Sequence, residues 1–142
     1  MINSKEKGRV GESQWVHFLR EHGIEARRGR QYSGSPNSPD VVTSLEGIHF
    51  EVKRTEAINP YRALKQAIDD AGEKLPVVAH RRSREEWIMF MRADDWIWLL
   101  KVAGIALATL EEENGILEDN KRLREFVEET LKLVKGRMSD NS

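Results

Sequence analysis

The chain has 142 residues, a length that suits one domain or a domain with an appendage. With 39% hydrophobic and 33% charged residues it can bury a core under a polar surface; with no cysteine it excludes disulfide scaffolds, thiolate zinc sites, iron–sulfur clusters and cysteine nucleophiles. The net charge of −1 averages two unlike parts: residues 1–92 carry 16 Lys+Arg against 13 Asp+Glu, and residues 93–142 carry 7 against 11. The polar start, Met1 to Lys7, does not read as a signal peptide. The longest apolar stretch, Trp96 to Leu110, is broken by Lys101 and is shorter than the ~20 residues a membrane span needs. A cytoplasmic protein without a membrane partner is the expectation.

In chain order, Trp15, Phe18, Leu19 and His22 recur at helical spacing and predict a helix over 5–22, stopped by Gly23. Ile24 to Arg30 reads as a short strand, and Tyr32 to Pro39, rich in Ser, Gly and Pro, as a loop. Asp40–Leu45 and Ile48–Thr55 read as strands joined by a tight turn at Glu46-Gly47. Pro60 suits the first turn of a helix that runs to Ala71 and closes at Gly72. Leu75–His80 and Trp87–Arg92 are two further strands, joined by an arginine-rich turn. From Ala93 the pattern is helical, with Asp94-Asp95 as a cap. Ala103, Leu107, Leu110 and Leu117, then Leu123, Val127 and Val134, form a seam that fits either a dimerising coiled coil or a helix folded on its own domain, with Asn114 and Asn120 on or beside it. The expected division is 1–100 as the main domain, 101–136 as a helical extension and 137–142 as a disordered tail.

The chemistry concentrates on the strand pair around Glu46-Gly47. Pairing across that turn puts Val41 opposite Val52, Thr43 opposite Phe50 and Leu45 opposite Ile48 on one buried face. The other face then carries Asp40 opposite Lys53, Val42 opposite Glu51 and Ser44 opposite His49. Such a face is either a solvated surface with an Asp–Lys pair or a hard oxygen site for Mg²⁺, with a lysine beside the reacting phosphate. Glu12 shares the helical stripe of Trp15 and Leu19, where an acid needs a partner, and a cation held by three carboxylates accounts for it. His49 is either a structural histidine or a neighbour of this site.

Gly8-Arg9-Val10-Gly11-Glu12, the Ser/Gly-rich loop, Pro39-Asp40 and Glu51-Val52-Lys53 together resemble the PD-(D/E)xK nuclease superfamily. Within it they are similar to the small Holliday-junction-resolvase-like endonucleases of archaea and phages. The resemblance covers residues 5–100 and implies an α/β fold with a restriction-endonuclease-like core, α-β-β-β-α-β-β, in which helices flank a mixed sheet and a C-terminal helical extension follows. It implies that Asp40, Glu51 and the Val52 carbonyl hold Mg²⁺, with Mn²⁺ as a substitute, that Lys53 is catalytic, and that Glu12 completes or supports the metal site. It also implies hydrolysis of DNA phosphodiesters at branched or four-way junctions by a homodimer, in recombination and repair within a bacterial, archaeal or phage-infected cell. Gln66 matches the polar residue that follows the core motif, and Ser33, Ser35 and Ser38 lie where resolvases place a backbone-contacting serine. Arg27, Arg28, Arg30, Arg54, Arg81, Arg82 and Arg84 are the candidate phosphate contacts. A nuclease of the same fold acting on other DNA, and a non-catalytic DNA-binding or assembly module, are the alternatives.

Overall fold

A computed structural model describes residues 4–29 and 40–114, together with residues 122, 124, 125, 128, 129 and 132. The chain divides into two compact units, Met1–Met91 and Arg92–Ser142. The first contains α1 (Ser4–Glu21), β1 (Ala26–Arg28), β2 (Val41–Thr43), β3 (Ile48–Arg54), α2 (Pro60–Ala71), β4 (Leu75–Arg81) and β5 (Ile88–Phe90); the second contains α3 (Ala93–Asn114). The protein is therefore mixed α/β, with the expected order of elements in its first unit. Among the described residues no helix is long and apolar enough to cross a membrane.

The helix ends follow from local chemistry. At the end of α1, Gly23 N–H donates to Arg20 O at 3.0 Å and Ile24 N–H to Leu19 O at 3.0 Å, with Gly23 at φ 78°. This Schellman closure needs a residue that tolerates the left-handed region, and Ile24 then packs back onto the core. At the start of α2 the Asn59 side chain accepts from Arg62 N–H at 3.1 Å, and Pro60, which has no N–H to orphan, takes the first turn. Asp94 and Asp95 lie inside the first turn of α3 rather than before it, where they still meet the positive end of the helix dipole; Asp95 also accepts from Arg92 Nε at 2.7 Å.

The three-stranded sheet has the order β3–β4–β5, with β3 parallel and β5 antiparallel to β4. Register sorts the side chains of β3 and β4 into two faces, because Phe50 lies beside Val77 and Val52 beside Ala79, while Glu51 lies beside Val78 and Lys53 beside His80. The first face meets α1. Phe50, Val77 and Ala79 pack there with Trp15, which is 1% exposed and lies 5.4 Å from the Phe50 ring and 4.9 Å from the Trp87 ring. The second face meets α2 through Ala63 and Ala67, which cover Val78. Small residues at this spacing let the helix backbone come close to the sheet.

The pairing of β2 departs from the sequence expectation. The tight turn forms, with Ile48 N–H donating to Leu45 O at 3.1 Å, but β2 makes its ladder with β1: Ala26 opposite Thr43, Arg27 opposite Val42 and Arg28 opposite Val41. The reason is local competition for the backbone. Ser44 N–H is taken by Glu25 O at 2.9 Å, and Leu45 N–H by the Thr43 hydroxyl at 3.1 Å, which ends the strand before the turn. The alternation of buried and exposed positions is the same for either partner, so periodicity did not discriminate between them.

Candidate functional site

Strand β3 carries His49, Glu51 and Lys53 on its α2-facing side, two residues apart, as strand geometry requires. Lys53 Nζ lies 3.2 Å from Glu51 Oε1 and donates to Gln66 Oε1 at 2.9 Å. Gln66 reaches it from α2, so the ammonium is held between strand and helix. On the other side of the carboxylate, His49 Nε2 is 3.7 Å from Glu51 Oε2, too long for a hydrogen bond. Burial pushes the Glu51 carboxyl up, but the His49 imidazole and the Lys53 ammonium together outweigh it and hold the group below its ordinary range.

Asp40 stands immediately before β2, where its carbonyl accepts from Gly29 N–H at 2.8 Å. Burial first, and then the negative charge of Glu51, push its carboxyl above the ordinary value of 3.8, with Asp70 adding to the effect. Glu12 projects from α1 and accepts from Arg28 Nε at 3.1 Å, with Arg28 Nη2 at 3.0 Å. Burial raises the Glu12 carboxyl and the charge of Asp40 adds to the rise, although the Arg28 guanidinium opposes both. The electrostatic chain thus runs Glu12–Asp40–Glu51–Lys53 and draws on α1, the residue before β2, and β3. Two of its carboxyls are held above their usual range, first by burial and then by the neighbouring acid.

Gly11 sets the distance between α1 and β3. A Cβ there would fall 2.6 Å from Arg54 Cβ, so only glycine permits this approach, and Glu12 is its neighbour. The even-numbered residues of β3 face α1, and Arg54 follows them. Its Nε donates to Gln14 Oε1 at 3.0 Å, and its Nη1 donates to Arg81 O at 3.3 Å and lies 3.8 Å from Glu56. Arg28, on the inward side of β1, is paired to Glu12. These two arginines, expected among the phosphate contacts, are thus bonded within the protein, because strand alternation directs them toward α1.

Of the remaining candidates, Arg27 is exposed on β1. Arg81 Nε donates to Glu85 O at 2.7 Å, with its guanidinium 6.0 Å from the Trp87 ring, and Arg82 pairs with Glu85 at 3.3 Å. Arg84 is exposed at φ 63°, the left-handed region, at the tip of the β4–β5 turn. Val52 lies between Glu51 and Lys53 with its side chain on the α1 face. Arg30, Ser33, Ser35 and Ser38 lie outside the described residues, as do Asn120 and most of the seam beyond Asn114.

His49, read from the sequence as either a structural histidine or a neighbour of this site, lies beside Glu51, and Asp70 joins it without having been singled out from the sequence. Ligand atoms of His49, Glu51 and Asp70 lie within 4.8 Å of one another, a group that could hold a metal ion. Asp70 follows Gln66 by four residues on α2, so once Gln66 sits over Lys53, Asp70 sits one helical turn along the same strand. That spacing was the available signal. Asp40, expected as the partner of Glu51 in metal ligation, does not belong to this closest group. No family model matches the chain, and no curated protein matches it.

Proposed function

We propose that the protein is a divalent-metal-dependent DNA endonuclease with a restriction-endonuclease-like core, selective for branched DNA such as the four-way junction. One observation carries the reading: Lys53 is locked onto Glu51 at 3.2 Å and onto Gln66 at 2.9 Å, beside the half-buried Asp40, whose charge Glu51 opposes. A solvated surface pair has no need of a buried carboxylate, a second helix and a third acid. The donor set of Asp40 and Glu51 is hard oxygen, which suits Mg²⁺, and Mn²⁺ accepts the same donors. Asp40 and Glu51 would hold such a cation, which would supply Lewis-acid polarisation of the scissile phosphate and a water made nucleophilic at neutral pH.

The residues of the chain do the rest. Asp40 and Glu51 hold the cation, and Glu12, tied to Arg28, adds negative charge beside Asp40. Gln66 fixes the Lys53 ammonium, so that its N–H groups orient the attacking water and meet the charge that grows on the phosphoryl oxygens. Arg27 and Arg84 are exposed and provide phosphate contacts that position DNA without reading its bases. Cutting both strands of a junction takes two such sites, and we propose a homodimer.

The test is cleavage of four-way junction, flap, linear duplex and single-stranded DNA with Mg²⁺, beside the Asp40→Asn protein. The wild type is expected to cut the junction best, with Mn²⁺ effective and Ca²⁺ supporting binding without turnover. Absence of cleavage on every substrate overturns the endonuclease reading, and undiminished cleavage by Asp40→Asn overturns the site.

A further inference from the structure

We propose that His49, Glu51 and Asp70 form a binding site for a transition-metal dication of the zinc class, with a ligand set that Asp40 does not enter. The proposal goes beyond the nuclease reading, with which it shares Glu51, and it is tested by metal binding without cleavage. Two independent observations carry it. Ligand atoms of the three residues lie within 4.8 Å of one another, and His49, with a side chain 10% exposed, has a buried Nε2 with no hydrogen-bond partner among the described residues. Buried polar atoms are seldom left in that state, and an orphan imidazole nitrogen aimed at a carboxylate asks for something between them.

The distances suit an ion there. His49 Nε2 and Glu51 Oε2 are 3.7 Å apart, less than twice the roughly 2.1 Å from a zinc-class metal to nitrogen or oxygen, so one ion reaches both. Glu51 divides its oxygens: Oε1 takes Lys53, and Oε2 faces the histidine. Asp70, exposed at the end of α2, closes the site from the solvent side and leaves room for water ligands. The imidazole decides the selectivity. Carboxylate and water donors suit Mg²⁺, whereas an imidazole among them favours zinc and its neighbours over Mg²⁺. Neighbouring charges act on the site with both signs, since Lys53 repels a cation and Asp40 attracts it.

The experiment is calorimetric titration of the full chain with Zn²⁺, without DNA, in a large excess of Mg²⁺. It is paired with nitrogen NMR of the histidine rings, of which there are four, His17, His22, His49 and His80. The wild type is expected to take up one Zn²⁺ that Mg²⁺ does not displace, with the His49 ring signal moving to that of a ligated imidazole. Asp70→Asn, an exposed change that leaves the core untouched, is expected to weaken this binding by about 10- to 100-fold, a range that even outer partners of a ligand command. His49→Ala is expected to do the same, and Asp40→Asn to change it less than Asp70→Asn does. The proposal is overturned if Mg²⁺ displaces the zinc, if Asp70→Asn leaves affinity intact, or if Asp40→Asn weakens it as much. It is equally overturned if zinc moves only the His17 ring, whose exposed pairing with Glu21 at 3.0 Å is the competing surface position. Loss of cleavage in the nuclease assay bears on none of these outcomes.

Discussion

The two faces of strand β3 are made by alternate residues of one seven-residue segment, yet they do opposite things. Toward α1, Ile48, Phe50 and Val52 join Trp15 in an apolar cluster where ring packing and burial supply the stability. Toward α2, His49, Glu51 and Lys53 meet Gln66 and Asp70, and ionisable groups sit where apolar ones would be more stable. The difference shows how a small fold affords a polar site: the α1 face anchors the strand, and the anchored strand holds unfavourable charges in place. Substitutions should therefore separate, with changes on the α1 face read as stability and changes on the α2 face read as activity.

The largest effect expected is at Lys53. Lys53→Ala should lower kcat by about 100- to 1000-fold, the scale of losing one preorganised donor to the transition state, with DNA affinity little changed and with a loss of thermal stability, because the buried Glu51 loses its partner. Single-turnover cleavage beside a binding titration measures the split; a loss confined to affinity would move Lys53 from the chemistry to substrate binding. On the other face, Trp15→Ala should destabilise by about 3–5 kcal/mol, as large-to-small changes in a packed core do. Trp15→Phe is the sharper control. The indole Nε1 has no partner among the described residues, so replacing it removes a buried donor that gains nothing from folding. Denaturant unfolding should show the phenylalanine variant far closer to wild type than the alanine variant.

Gly11→Ala tests where the two faces meet. The new Cβ would lie 2.6 Å from Arg54 Cβ, so α1 must lift from β3. Overpacking of this kind costs about 1–3 kcal/mol, and the better helix propensity of alanine offsets at most about 1 kcal/mol. Because Glu12 is the next residue, cleavage should fall as well. A stability loss with unchanged cleavage would detach Glu12 from the site.

The smallest effect expected is a gain. Burial and the charge of Glu51 raise the Asp40 carboxyl above its ordinary 3.8, so the unfolded chain loses this proton at lower pH than the folded one. Wild-type stability is therefore drawn down as pH rises from the ordinary value through the raised one. Asp40→Asn should match the wild type in acid and exceed it slightly near neutral pH, in the absence of metal. Thermal unfolding across pH checks this. A neutral-pH loss of stability would mean that the Asp40 charge is already satisfied in the folded protein.

Much of the local structure was legible in the sequence because its causes are local. Gly23, Pro60 and Gly72 each mark a helix end by backbone chemistry within a few residues. The period-two pattern of Ile48–Arg54 was enough to put Glu51 and Lys53 on one side and Phe50 on the other. The sequence by itself thus determined the order of elements and the Glu51–Lys53 pair. Tertiary structure alone decided which strand β2 joins, which turn of α2 lies over β3, and which arginines are bonded inward. The physical reason is shared. Alternation and capping act over a few residues, whereas strand partners and helix placement depend on contacts far apart in sequence, such as Arg28 with Glu12 and Arg54 with Gln14. Asp70 comes beside Glu51 only because Ala63 and Ala67 let α2 settle closely over Val78.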